Sequence, residues 1–464
     1  MFDIKKLKKS PMFNLSLSSK ELFHSNFLAW IAEDEDTKEL FESILELFGL
    51  EKETAQDYAK GIRDSHYIVK REYHNFDFCI CENIKNWDKK SPEEYIPGRV
   101  LLVLENKFKS IPYKEQLMEY QNKVIKLNEE GRKNKAKSLY AEDNNNEVPK
   151  KWNKKLCQKY LPKEVVTCHF VLLSLAKEVC GLTIEGKKPQ RFIQTADKNE
   201  WHFVTYKEYS ENLKNQVQNQ SEFKCNVISD YASYINTFCE YLINNIPQEI
   251  LKEIWTSILS SNSELVAIRM DDIWQKLIVN LIAVRFCEFA ESFCEKYKKE
   301  CVFSNDAKTF IGNNNLKDKV HVASGFSRGT GLFEVKIKID DECLFGIQIQ
   351  DGYYKRLLET TEDKLKPSAA SFYEDRLKRL SGMFQFQLSN LSSTWNNPQG
   401  CNIFNPDDEI HPTDKRENRV FDNFGGYGNT FICQSKKLSS VCTIEDVIKA
   451  VIIDIESAYK SFIP

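Results

Sequence analysis

The run RVLLVLENK at residues 99–107 constrains this chain more than any other segment. Five consecutive apolar residues, 100–104, leave no polar face, which suits a strand covered on both sides. Such a strand needs helices above and below it, and the flanking sequence supplies them. Residues 18–31 read as a helix. Ser18 and Glu21 suit a capping box there, and Leu22, Phe23, Phe27, Leu28, Trp30 and Ile31 recur at helical spacing. Further helices are expected at 36–48, closed by Gly49, and at 51–62. Short strands follow at 66–71 and 76–81, then a polar loop at 83–98. A long helix starts near Tyr113 and passes Lys126, and the Lys/Asn-rich stretch 128–160 reads as partly mobile. Strands at 165–175 and 201–205 and helices over 207–245 complete the pattern. A crossover of this length permits parallel pairing, so the first half reads as an α/β core ending near Pro247.

The remainder, 248–464, reads as an appended α+β region. It should hold helices over 249–300, a small sheet at 318–350, a helix at 369–390, an Asn/Gly-rich loop and a last helix at 444–461. The glycine-rich stretch 324–331 reads as a turn, because it lacks the Gly-Lys-Ser/Thr of a phosphate-binding loop, and 425–428 reads as a loop. This region could recognise a target, bind an accessory subunit or form a homodimer, and the sequence does not choose.

No 18-residue apolar window suggests a membrane span, and no apolar stretch of signal-peptide type follows the lysines of 1–9. The 14 cysteines include no CxxC pair and sit mostly in apolar surroundings, as expected of reduced thiols in a cytoplasmic protein. The formal net charge of -3 excludes a uniformly basic surface. It conceals an asymmetry: residues 83–163 carry 19 Lys+Arg against 11 Asp+Glu. Lys107, Lys109, Lys114 and Lys123 open this basic stretch, and Trp87, Tyr95, Tyr113 and Trp152 interleave with it. A local surface for a polyanion is therefore expected, with salt-dependent binding.

Chemistry concentrates in a few polar residues set into apolar strands. Asp77 interrupts Phe76, Phe78 and Ile80, while Glu105 and Lys107 share a face at the end of the 99–107 strand. Buried charges of this kind are costly unless paired or metal-bound. Two carboxylates on neighbouring strands with a lysine two residues on suit a hard divalent cation such as Mg²⁺, with Mn²⁺ as a substitute. The cation would activate water and stabilise phosphate charge, with the lysine orienting or helping to deprotonate that water.

Asp77 followed by Glu105-Asn106-Lys107 resembles the PD-(D/E)XK nuclease superfamily. The resemblance is closer to a bacterial branch with a Glu-x-x-His-Ser-x-Phe-Leu-Ala-Trp helix, matched from Glu21 through His24 and Ser25 to Trp30. An Asp-x-x-Ile strand matches at 77–80, Glu-Gln-Leu-x-x-Tyr at 115–120, an apolar strand at 170–175 and Trp-x-x-x-Thr-Tyr at 201–206. These ordered matches span about residues 15–245. The proline of the family's name is absent, since Phe76 precedes Asp77. The resemblance implies a restriction-endonuclease-like core, a mixed sheet flanked by helices. It implies a metal-dependent nuclease acting on DNA in restriction or phage defence, with RNA open as a substrate. Asp77 and Glu105 would hold the metal, Lys107 would assist the water, and Gln116 would fix a metal water or a phosphate. Tyr120, Glu21 and His24 would support the site. The competing reading is a non-catalytic nucleic-acid-binding or scaffold protein on the same fold.

Overall fold

The structure is a computed structural model that describes residues 9–19, 21–86, 94–108, 114–143, 159–160, 167–175, 192–194, 200–219, 221–260, 263–297, 320–327, 329–338, 343–360, 401–405, 411–412, 419–421, 424–427 and 431–462. It divides into two compact units, Met1–Asn244 and Asn245–Pro464.

The first unit opens with helices α1 (Pro11–Ser19) and α2 (Glu21–Glu33). Ser18, expected as an N-cap, lies inside α1. The start signal is Ser10-Pro11 instead. Ser10 Oγ accepts from the Phe13 N–H at 3.1 Å, and proline suits the first helical position because its missing N–H is not needed there. Helices α3 (Lys38–Leu47) and α4 (Lys52–Arg63) follow. Gly49 ends α3 at φ +91°, and the His202 ring lies where its Cβ would be.

Next come β1 (Tyr67–Tyr73), β2 (Phe76–Lys85) and β3 (Tyr95–Lys107). The strands of the β2–β3 hairpin reach further than expected. Asn83 pairs with Pro97 and Lys85 with Tyr95, so only the middle of 83–98 is a connection. Helix α5 (Lys114–Asp143) then crosses to β4 (His169–Ser174). It runs well into the stretch expected to be mobile. Ala136, Ser138 and Ala141 are buried on it, and Lys135 bonds Glu82 at 2.6 Å. Small and polar residues carry this packed stripe, so apolar periodicity could not show it. Strands β5 (Phe192–Gln194) and β6 (Glu200–Thr205) and helices α6 (Tyr206–Gln216) and α7 (Glu222–Asn245) complete the unit.

The sheet order is β1-β2-β3-β4-β6-β5. Strands β3, β4 and β6 are parallel, and the remaining pairs are antiparallel. This is a mixed sheet flanked by helices, a restriction-endonuclease-like core. On one face α5 packs Leu117, Tyr120 and Val124 over Cys79, Cys81, Val103, Leu172 and Phe203. Helix α2 contacts β1, β2 and β3.

The second unit is α+β. Its sheet is larger than expected, with eight strands among the described residues rather than a small hairpin sheet. The strands are β7 (Val320–Ser327), β8 (Thr330–Lys338), β9 (Cys343–Gln350), β10 (Tyr353–Thr360), β11 (His411–Pro412), β12 (Arg419–Phe421), β13 (Phe424–Tyr427) and β14 (Phe431–Lys437). Glycines 425 and 426, expected in a loop, lie within β13 and pair with β14. Most of 324–331, expected as a turn, is paired strand, with 324–327 in β7 and 330–331 in β8; Gly329, at φ +83°, lies between the two strands. Helices α8 (Asp271–Tyr297) and α9 (Ile444–Phe462) contact this sheet, and Arg356 and Tyr354 both bond the buried Asp454 of α9. The helix expected at 369–390 lies outside the described residues. Among the described residues no helix is long and apolar enough to cross a membrane.

Candidate active site

The carboxyl end of β3 delivers Glu105 and Lys107 to the α5 face of the sheet. Both are buried, Glu105 at 1% exposure and Lys107 at 9%. The Lys107 Nζ lies 2.6 Å from Glu105 Oε1. From the first turn of α5, Gln116 Nε2 donates to the same Glu105 oxygen at 3.0 Å and to the Tyr120 hydroxyl, also at 3.0 Å. Asp77 joins from β2, where its Oδ2 accepts from the Asn106 backbone N–H at 2.7 Å. Four of the expected residues, with Tyr120, therefore form one connected group.

Its electrostatics follow from burial. Desolvation pushes the Asp77 carboxyl up to about 6, against the Asn106 N–H and the Lys107 charge. Desolvation and then the Asp77 charge push Glu105 up to about 8, against Lys107. Burial alone would lower Lys107, but the charge and hydrogen bond of Glu105 outweigh it, and Lys107 is raised. Lys107 is thus an ammonium suited to hold and orient an anion, not a neutral base. Desolvation also pushes the Tyr120 hydroxyl up to about 12, so it stays protonated and can donate. The Glu21 charge acts on Asp77, Glu105 and Lys107, which brings the start of α2 into the same field.

The fit of a divalent cation can be tested on the polar atoms. Glu105 Oε2 and Gln116 Oε1 are buried without a hydrogen-bond partner. Each such acceptor costs roughly 1–3 kcal/mol when left unsatisfied. Both are hard oxygen donors beside a second carboxylate, the chemistry a Mg²⁺-like ion takes. Among the described residues no three His, Cys, Asp or Glu side chains converge on one ligand point. The donors available to a cation here would be two carboxylates and an amide oxygen, which would leave other positions for water and substrate, as Mg²⁺ sites commonly do.

The remaining expected residues fall elsewhere. His24 is buried in an aromatic cage. Its Nδ1 pairs with the Tyr231 hydroxyl at 2.9 Å, and its ring centroid lies 4.1 Å from that of Phe108. Lys123 donates to the His74 carbonyl at 2.8 Å and lies over the Tyr120 and Phe76 rings, pinning the β1–β2 turn beside Asp77. Lys114 begins α5, and Lys109 lies outside the described residues. Lys135 is half-buried on Glu82, which also takes two bonds from the Arg99 side chain, so part of the basic stretch is neutralised internally.

The sequence assigns Asn106 and Tyr206 no role beyond their places in motifs. The structure joins them: the Tyr206 hydroxyl donates to Asn106 Oδ1. The one signal in the sequence is an amide at the inner end of an otherwise apolar strand.

The family model of the PD-(D/E)XK nuclease superfamily matches residues 12–233, just under half of the chain. No curated protein and no solved structure matches the chain.

Proposed function

We propose that this chain, whose residues 12–233 match the family model of the PD-(D/E)XK nuclease superfamily, is a metal-dependent nuclease that hydrolyses phosphodiester bonds in DNA. The observation that supports this most is the joined set of Asp77, Glu105, Lys107 and Gln116 with two buried oxygens left unsatisfied. Asp77 and Glu105 would hold the cation, Mg²⁺ or Mn²⁺, with Gln116 beside it. When bound, the cation lowers the pKa of a water and offsets charge on the phosphate. Lys107 keeps its proton, so its part is to orient the attacking water and to stabilise charge growing on the phosphate oxygens. Tyr120 holds the Gln116 amide in place. Buried thiols support a reducing, cytoplasmic setting, and defence against foreign DNA is a role consistent with the chemistry.

Purified full-length protein with Mg²⁺ or Mn²⁺ should cut DNA. Lys107→Ala should lower the rate by at least about 100-fold while leaving the protein folded. Single- and double-stranded DNA and RNA in the same assay assign the substrate. If wild type and Lys107→Ala cut equally, or neither cuts any of these, the proposal fails.

A further inference from the structure

One buried polar residue in this region neither faces the proposed reaction nor contacts solvent. We propose that Asn106 and Tyr206 are a positioning pair that clamps the end of β3 to the first turn of α2, fixing Asp77, Glu105 and Glu21 relative to one another; this rests on the nuclease reading above.

Alternation along β3 turns Asn106 away from Glu105 and Lys107. Its Nδ2 donates to the Glu21 carbonyl at 2.8 Å and to Ser25 Oγ at 3.3 Å. Its Oδ1 accepts from the Tyr206 hydroxyl, and its backbone N–H donates to Asp77 Oδ2 at 2.7 Å. One residue thereby ties β3 to β2, α2 and α6. Asn106 is 1% exposed and Tyr206 is fully buried. In a dry site, an amide with both donor and acceptor ends engaged has one orientation.

Tyr206 is itself held rigidly. It is the first residue of α6, directly behind a capping box made by Thr205 and Glu208. Its ring meets Phe108 edge-on at 4.8 Å and His24 edge-on at 5.3 Å. The aromatic cage around His24 is thus the backing of the clamp. Such partners behind a ligand set orient it, and losing them typically weakens metal binding without touching the ligands.

The test uses the full chain with Tyr206→Phe, which removes one oxygen, and Asn106→Ala. Mn²⁺ affinity is measured by calorimetry without substrate, kcat and KM on DNA at saturating Mn²⁺, and Tm separately. Tyr206→Phe is expected to stay folded, to bind Mn²⁺ about 10-fold more weakly and to lose about 10-fold in kcat with KM nearly unchanged. The double variant should be no worse than Asn106→Ala alone, because the two residues act as one unit. Variants with lowered Tm but wild-type Mn²⁺ affinity and kcat would show a merely structural role and overturn the inference. If wild type binds Mn²⁺ but cuts nothing, the nuclease reading falls while the variants' Mn²⁺ affinities still decide the clamp. If it neither binds nor cuts, both fall.

Discussion

Asp77 shows how function and stability oppose each other at one residue. Its carboxyl is pushed up to about 6 by burial, while its ordinary value is 3.8. Between those two values the native state holds more protons than the unfolded chain. Stability therefore falls as pH rises from about 4 to about 6, and the penalty is complete above that window. That displacement, already net of the opposing Asn106 N–H and Lys107 charge, corresponds to about 3 kcal/mol at most. Asp77→Asn removes the charge but keeps an oxygen for the Asn106 N–H. In the absence of divalent cation it is expected to raise Tm by roughly 2–5 °C at pH 8 and to change it little at pH 4. Thermal unfolding in a chelator at both pH values checks this, and an unchanged or lower Tm at pH 8 would contradict it. Cleavage should be lost at either pH, so the site is held at a cost that the proposed cation would offset.

At the scale of elements, α5 decides whether Gln116 reaches Glu105, and its seating depends on a point far from the site. A Cβ on Gly131 would lie 2.5 Å from the Gly98 carbonyl carbon and 2.7 Å from the Arg99 nitrogen, so helix and strand backbones touch there. Alanine favours an exposed helix by about 1 kcal/mol over glycine, but here it must displace backbone. Gly131→Ala is expected to destabilise by about 1–3 kcal/mol in urea unfolding and to lower cleavage, because tilting α5 moves Gln116. A stabilised variant would show that α5 has room to shift. This helix also marks the limit of what the sequence made legible. The order of elements, the buried β3 and the pairing of Asp77, Glu105 and Lys107 were readable, because a charge inside an apolar run is too costly to stand there without a partner; Gln116 was placed beside them only by the family resemblance. The second half of α5 was not readable. Its buried positions are Gly131, Ala136, Ser138 and Ala141, and its polar partner Glu82 is 53 residues from Lys135. The eight-stranded second sheet exceeds its sequence signal for a related reason, since β11 to β13 are only two to four residues long. His24 shows the opposite case. Its place in the resembling motif was readable, and only the fold supplies the aromatic rings that surround it.

For the whole molecule, the division at Asn244–Asn245 makes a strong prediction. All six strands of the first sheet, both faces of its core and every residue joined in the site belong to Met1–Asn244. The second unit closes its own core, with Phe333, Ile347 and Ile349 in its sheet and Ile448 and Ile452 on α9. Met1–Asn244 also holds the positive share of the charge. It carries 38 Lys+Arg and 37 Asp+Glu, so the rest of the chain carries -4 within the total of -3. Residues 1–244 expressed alone are expected to unfold cooperatively and to cut at saturating substrate within about threefold of the full chain, since no group proposed to touch cation or phosphate is removed. Circular dichroism melts and single-turnover cleavage measure both. Loss of the acidic unit reduces repulsion of a polyanion, so KM for non-specific DNA at low salt should fall or stay level. A rise in KM with unchanged kcat would instead assign substrate contacts to the second unit. An unfolded fragment would show that the two units form one cooperative structure.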